Sequence, residues 1–383
     1  MPTRQPDQPR TAVLKDVARR AGVDASTVSR VLRGDHRKPA RHETRERILQ
    51  AAREMGYTAN GVARSLRTRR TEAIALVVPD VANPGFAEIF KGVQAATAAA
   101  GWQVILVDGG IPGGSDLGWD RLVLEGRIDG VLVMVASIRD PVVRRVAESG
   151  FPLVLVNRRS NGVAGSVVMN DGRGAELAVD HLAGLGHRRI AHIAGPASVD
   201  TGRRRLAGFR AAMRRRGLAL PEAWIAETDY TEAGGAAAAR ALLAAPDRPT
   251  AVYVAAFMSG VGAMQVFKAA GLDIPGDIAV VVSDELSLAA HTAPPLTTVR
   301  MPLSRMGAVA TDMLLRSLAG DAVADIVLED EPELVIRAST APPRDHPTVI
   351  AGLDPAIQGS RLGPSTARRS VGRADGPPGQ VRR

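Results

Sequence analysis

Apolar positions follow two different periods along the chain, and the change between them falls near residue 70. Before it they repeat at helical spacing. Val17, Ala18 and Ala21 share one face of a short helix, with Ala18 small enough for a second helix to cross closely. Gly22 can supply the positive φ of a tight inter-helix turn. Asp24 is placed to cap a second helix, Ala25–Leu32, that buries Val28, Val31 and Leu32. A third helix over His42–Met55 brings Ile48, Leu49, Ala52 and Met55 to the same small core.

From residue 71 to about 340, β-branched runs alternate with Ala-rich amphipathic stretches. The strands predicted are Ala73–Val78, Gln103–Val107, Gly130–Val135, Leu153–Val156, Ile190–Ile193, Ala251–Val254 and Ile278–Val282. Helices are predicted over Phe86–Ala100, Arg139–Ser149, Gly174–Leu185, Arg203–Arg216, Glu232–Ala244 and Gly260–Ala270. Strands apolar at nearly every position, alternating with helices, predict parallel sheets covered on both faces; the length accommodates two. Residues 1–10 and 341–383 are polar, rich in Pro, Gly, Ser and Arg, without periodicity, and read as disordered.

Charge sharpens this division. The net charge is +9, and residues 1–70 alone hold 17 Lys/Arg against 7 Asp/Glu. The body, 71–340, is left net negative. A small basic head on an acidic body fits a head that meets a polyanion, although composition alone leaves a solvated basic tail equally open. The outer face of the second helix carries Ala25, Ser26, Thr27, Ser29 and Arg30, short or hydrogen-bonding residues suited to the major groove, with one long cation to reach guanine edges.

Several segments now resemble one family. They are Leu14-Lys-Asp-Val-Ala-Arg-Arg-Ala-Gly-Val23, Ser26-Thr-Val-Ser-Arg-Val-Leu32, Val62-Ala-Arg-Ser-Leu-Arg67, Val78-Pro-Asp-Val-Ala-Asn-Pro84, His181-Leu-Ala-Gly-Leu-Gly-His-Arg-Arg-Ile190 and Pro294-Pro-Leu-Thr-Thr-Val-Arg300. Strung in this order over residues 11–340, they resemble the LacI/GalR repressor family. The resemblance implies an all-α helix-turn-helix DNA-binding head (11–57), a hinge (58–71) and an α/β periplasmic-binding-protein-like core (72–340). The core would be two Rossmann-like subdomains, 72–169 plus 299–328 and 170–298 plus 329–340. It also implies a homodimer made through the first subdomain, a pseudopalindromic double-stranded DNA operator, and a small-molecule effector, a sugar or related metabolite, in the cleft.

By the same resemblance Asn60, Ala63, Arg64 and Leu66 form a hinge helix that folds on the operator, with Leu66 as an apolar wedge in the minor groove. Ala59 stands where the family has Pro, and Gly61 costs about 1 kcal/mol of helix propensity relative to Ala. The hinge is therefore expected to depend strongly on DNA for its order. The loop at 35–43 is about two residues longer than usual, which brings Arg37, Lys38 and Arg41 near phosphates or leaves them solvated. Candidate effector contacts are Asn83, Phe86, Arg158, Arg205 and Asp284, with Phe257 where the family has a polar pair. Ala256-Phe257 stands where the family has Asn-Asp, which removes hydrogen-bonding groups that a sugar needs, and Val282-Ser283 stands where it has Gly-Phe.

Other chemistries lack support. There is no cysteine, so thiolate metal sites and cysteine nucleophiles are excluded. Neither a phosphate-cradling Gly-x-x-x-x-Gly-Lys-Ser/Thr nor a Gly-x-Gly-x-x-Gly opening a helix is present. His181, His187 and His192 are spaced like helix and strand surface residues, without carboxylates at metal-ligand spacing. No enzyme, cofactor or metal is expected. The absence of a membrane-length apolar run and of a signal-like start points to a cytoplasmic chain. A pure solute-binding protein would share the core but not residues 11–67. The tail has no Leu heptad and gives no basis for a tetramer.

Overall fold

The structure is a computed structural model that describes residues 12–32, 40–57, 70–110, 119–135 and 137–344. The hinge residues Asn60, Ala63, Arg64 and Leu66, the loop cations Arg37 and Lys38, and the tail from 345 lie outside the described residues.

The head consists of α1 (Leu14–Ala21), α2 (Ala25–Leu32) and α3 (His42–Glu54). Gly22 ends α1 at φ 66°, donating its N–H back into the helix. Asp24 opens α2, its carboxylate accepting from the N–H groups of Ser26 at 2.9 Å and Thr27 at 3.1 Å. Val17, Ala18, Ala21, Val28, Ile48, Ala51 and Ala52 form the core, with Val31, Leu32 and Met55 packed at its edge. Two expectations change here. Ala51 is buried and Leu49 is not, because positions 48, 51, 52 and 55 make the i, i+3, i+4, i+7 stripe. Ala25, expected on the outer face, is half-buried and packs on the core, since it shares a helix face with Val28 and Leu32.

The rest of the chain begins with β1 (Ala73–Val78), α4 (Pro84–Ala99), β2 (Gln103–Asp108), α5 (Trp119–Leu124), β3 (Gly130–Val133), α6 (Pro141–Glu148), β4 (Leu153–Val156) and β5 (Ser166–Val168). It continues with α7 (Asp171–Gly184), β6 (Ile190–Ala194), α8 (Asp200–Arg215), β7 (Ile225–Glu227), α9 (Glu232–Leu243), β8 (Ala251–Val254), α10 (Phe257–Ala269), β9 (Ala279–Ser283) and β10 (Thr297–Arg300). The last elements are α11 (Leu303–Ala319), β11 (Ile326–Val327) and β12 (Glu333–Val335).

Two six-stranded sheets result, in the orders β11-β5-β4-β3-β1-β2 and β12-β10-β9-β8-β6-β7. Every pairing is parallel except β10 with β12. Each sheet reverses its winding direction once, between β1 and β3 in the first and between β6 and β8 in the second. The chain passes between the sheets after β5, after β10 and after β11.

Strand side chains alternate between two apolar layers, which is why no polar alternation shows in the sequence. In β1, Ile74, Leu76 and Val78 enter one layer while Ala75 and Val77 enter another. In β8, Ala251 and Tyr253 divide from Val252 and Val254 in the same way. Helix α11 returns from the second sheet to pack along α4 and over β3, β4 and β5. At that crossing a Cβ on Gly92 would collide with the Ser304 carbonyl, and one on Gly307 with the Ile89 carbonyl. The two helices therefore meet backbone to backbone.

The histidines correct the surface reading. His187 is buried, its ring nitrogens paired with Thr250 Oγ1 at 3.0 Å and Ala341 O at 2.9 Å. His192 has no exposure and forms a three-ring cluster with Phe209 (4.7 Å) and Tyr253 (5.0 Å), with Nδ1 donating to Tyr253 O at 2.9 Å. His192 lies on the central strand β6, where neither sheet face is wet.

Two outcomes are expected. Gly92→Ala should destabilise the core by about 1–3 kcal/mol, as overpacking between helices does, read as a lower urea midpoint. Burial pushes His192 down from 6.5 to about 4. The unfolded chain then binds more protons than the native one between these values, so stability is complete above pH 6.5 and falls as pH drops toward 4. The loss from this ring is on the order of 3 kcal/mol, and His192→Phe should flatten that part of the stability–pH curve.

Candidate functional site

On the head, α2 presents a polar outer surface. Ser26 is exposed and its hydroxyl donates to Asp24 Oδ1 at 2.5 Å, while Thr27 Oγ1 donates to Asp24 Oδ2 at 2.8 Å. These donors, the Ser26 hydroxyl first, hold the Asp24 carboxyl well below the usual carboxylate range. Ser29 and Arg30 are half-exposed on the same helix. The Arg30 guanidinium touches Thr27 Oγ1 at 3.4 Å through Nη2, and its Nε is buried without a partner. Arg20 of α1 bonds Glu54 of α3 at 2.9 Å, tying the two helices that flank α2.

The second site lies where strands of both sheets end. One pocket, enclosing about 60 Å³, is lined by Asn83, Phe86, Asn157, Arg158, Thr201, Arg205, Tyr230, Phe257, Met258 and Asp284, among others. That volume holds about four water molecules at roughly 10–15 Å³ each. All six residues named from the sequence as cleft candidates, Asn83, Phe86, Arg158, Arg205, Phe257 and Asp284, line it.

All but Arg205, which lies early in α8, follow closely on a strand's C-terminal end, where open α/β sheets gather their loops. Asn83 follows β1 and caps α4, its Oδ1 accepting from Gly85 N at 3.0 Å; Pro84 occupies the first turn and Phe86 follows soon after. Asn157 and Arg158 follow β4, Tyr230 follows β7, Phe257 opens α10 after β8, and Asp284 follows β9. Asn157, Tyr230 and Asp284 all hold positive φ, at 56°, 71° and 71°. Only Glu72 shares that conformation among the non-glycine residues described. Left-handed backbone costs a non-glycine residue on the order of 1 kcal/mol or more and concentrates at ligand sites.

A buried ionic cluster forms one wall. Asp171, the first residue of α7, has no side-chain exposure. It accepts from Arg205 Nε at 2.8 Å and from Arg204 Nη1. Arg205 also donates to Ala255 O and to Asp284 Oδ1, the latter at 3.2 Å. Burial opposes the Arg205 charge, but the Asp284 and Asp171 carboxylates outweigh it and leave the pKa raised. Burial raises the Asp284 carboxyl, against the pull of Arg205. Arg158 is 5% exposed and among the described residues bonds neutral oxygens alone, Asn157 O at 2.9 Å and Thr201 Oγ1. Burial lowers its pKa. Arg158 Nε, Asn157 Oδ1 and the Tyr230 hydroxyl are buried without hydrogen-bond partners.

Sequence reasoning did not single out Asn157, Thr201, Tyr230 or Met258. Asn157 adjoins Arg158 and was within reach of the strand-end rule, but Tyr230 follows a three-residue strand with no periodic signal. Ser283 stands near the site without facing it: its hydroxyl pairs with Tyr253 OH at 2.6 Å inside the sheet. Among the described residues no group of three or more His, Asp or Glu is placed to hold a metal ion. No helix among them is long and apolar enough to cross a membrane.

A helix-turn-helix head followed by two parallel sheets around a shared cleft defines the class of transcriptional regulators built on a periplasmic-binding-protein-type core. Residues 13–60 match the model described as bacterial regulatory proteins, lacI family, and residues 179–340 match the periplasmic binding protein-like domain. The chain is 36% identical over 343 residues to the HTH-type transcriptional regulator CelR of Thermobifida fusca, covering 86% of this chain and 98% of CelR. It is 32% identical to the HTH-type transcriptional repressor PurR of Photobacterium profundum, over 86% of this chain and 98% of PurR. Among solved structures, the lac repressor dimer bound to operator and the anti-inducer ONPF aligns at TM-score 0.75 and 27% identity, over 87% of this chain and 100% of that one. A CelR–cellobiose complex aligns at 0.65 and 34%, over 86% and 99%. The chain belongs to the LacI family and is a DNA-binding transcriptional regulator.

Removing one partner of the buried cluster should be costly. Asp171→Ala leaves Arg204 and Arg205 short of a carboxylate and is expected to lower unfolding free energy by about 3–5 kcal/mol in urea denaturation. Asp200→Ala, which removes a half-buried contact to Arg204 but leaves that guanidinium paired with Asp171, should cost clearly less than Asp171→Ala.

Proposed function

We propose that this regulator is a repressor whose operator affinity is set by a small molecule, a sugar or related metabolite, held in the cleft. The observation that carries this is the pocket itself. Side chains from both sheets converge on it, three of them on left-handed backbone, and three buried polar atoms there lack partners. Orphaned buried polar groups are rare and costly, and a ligand is the simplest source of the missing bonds. CelR's complex with cellobiose and the lac repressor's with an anti-inducer support a small-molecule effector for this chain.

On this reading the protein is a cytoplasmic homodimer, made through the sheet that contains β1–β5, and has no catalytic activity. Two heads then meet two half-sites of a pseudopalindromic operator. Ser26, Thr27, Ser29 and Arg30 face the major groove, with Ala25 at its edge. Asn60, Ala63, Arg64 and Leu66 form the hinge in the minor groove. Effector binding changes the angle between the sheets and so favours or disfavours the folded hinge; by linkage, operator binding changes effector affinity equally.

Selection of sites from random duplex DNA at a stated salt concentration tests this. The wild type should enrich an inverted repeat, with affinity falling steeply as salt rises. Arg30→Ala should relax one base position in each half-site at a cost of about 1–3 kcal/mol. Leu66→Ala should weaken binding and make the central step matter less. A folded wild type that enriches no sequence would overturn the proposal.

A further inference from the structure

The cleft is unevenly supplied with counter-charge. Three guanidinium groups approach it, and two are matched: Arg204 bonds Asp200 at 2.8 Å and Asp171, and Arg205 bonds Asp171 at 2.8 Å and Asp284 at 3.2 Å. Arg158 is as buried as Arg205, yet no ion pair among the described residues includes it. Its described partners are a backbone carbonyl and a hydroxyl, and its Nε has none. A buried cation without a hydrogen-bonded anion is expensive and is normally neutralised by a partner. The Tyr230 hydroxyl, also buried and unpartnered, lines the same pocket. Two donors thus await an acceptor.

The acceptors present are few. Asn157 Oδ1 is free, and Asp284 is already committed in part to Arg205. The remaining lining is largely apolar: Phe86, Ile89, Phe257, Met258 and Leu303. A neutral polyol brings many hydroxyl donors and would find little here to accept them, while leaving Arg158 uncompensated. An acid supplies the missing counter-charge, and one with few hydroxyls also brings few unmatched donors. The planar fork of a guanidinium matches an anionic oxygen pair in geometry as well as charge.

Resting on the reading that the effector occupies this cleft, we infer that the effector is a small organic acid whose anionic group is bound by Arg158 and the Tyr230 hydroxyl. Its hydroxylated or apolar body lies toward Asn157, Phe86 and Phe257. Carboxylate and phosphate share this chemistry, and the test separates them.

The full-length protein is titrated at constant ionic strength with acetate, benzoate, gluconate, glucuronate, inorganic phosphate and glucose 6-phosphate. Chloride, glucose and glucitol are the neutral and ionic controls, and melting temperature and Kd are read. At least one acid should stabilise the wild type beyond chloride and bind about tenfold or more tightly than its neutral counterpart, the hydrogen bonds to a charged group being worth that much. Preference for the carboxylates or for the phosphates identifies the anionic group. Arg158→Met should abolish the preference, and Arg158→Lys should keep part of it. Without ligand, Arg158→Met should melt no more than about 4 °C below the wild type, because Thr201 Oγ1 still donates to Asn157 O at 2.5 Å.

Failure of every acid to exceed chloride, tighter binding of glucose or glucitol, or an acid preference that survives Arg158→Met would each overturn the inference. So would a larger loss of stability in the unliganded variant, which would make Arg158 a structural cation. The same preparations are assayed on the selected operator. Persistent operator binding alongside any of these results removes this inference alone, whereas a folded wild type without operator binding removes the regulator reading.

Discussion

Asp171 is a carboxylate with no solvent exposure, placed immediately after the chain's first passage between the sheets. Burying it is tolerable only because two guanidinium groups from α8 reach it, and their own burial is tolerable only because it is there. Through Arg205 the same charge is tied to the carbonyl of Ala255 after β8 and to Asp284 after β9. Arg204 in turn donates to Met169 O, at 2.9 Å, in the passage itself. One ionic cluster thus fixes the start of α7, the first turns of α8 and two strand ends. The cleft wall is as rigid as that cluster.

The sheets explain why the cleft lies where it does. Parallel strands must all end at one edge, and in each sheet the winding reverses once, so helices diverge and leave a crevice there. Two such edges contribute loops to one pocket. Their C-terminal positions carry Asn157, Tyr230 and Asp284 on left-handed backbone. Such conformations persist only where the surroundings over-determine them. Tyr230 is held in part by Gly195, whose missing Cβ leaves room for the phenol. The strain and the unpartnered polar atoms fall on the same few residues, which separates this pocket from ordinary surface relief.

Head and body answer different physical demands. The head is small, with a core of alanines and valines that permits close helix crossings, and its charge excess suits a polyanion. The body is large, with the central strands of each sheet buried on both faces, and carries a net negative charge that does not compete for the same partner. On the proposed reading, the two communicate through residues 58–71, which join them in the chain.

Much of this was legible in the chain itself. Helical spacing located the three head helices, and Gly22 and Asp24 marked their turn, because both signals are local: one needs φ > 0, the other a side-chain oxygen for free N–H groups. Apolar runs located β1, β4 and β8 to the residue, since strands buried on both faces leave no polar position to confuse their ends. Helix starts were less legible. α4 and α7 begin before their first apolar residues, at caps Asn83 and Asn170, where polar side chains satisfy free N–H groups. Motif positions also placed six residues at the cleft, because strand ends in this topology converge. What the tertiary structure alone decided were the pairings. Nothing in the sequence says that His192 clusters with Phe209 and Tyr253, that Ser283 turns inward to Tyr253, or that Asp171 pairs with two arginines while no ion pair among the described residues includes Arg158. Those facts depend on distances between residues far apart in the chain, and a one-dimensional pattern encodes which side chains are buried but not which of them meet.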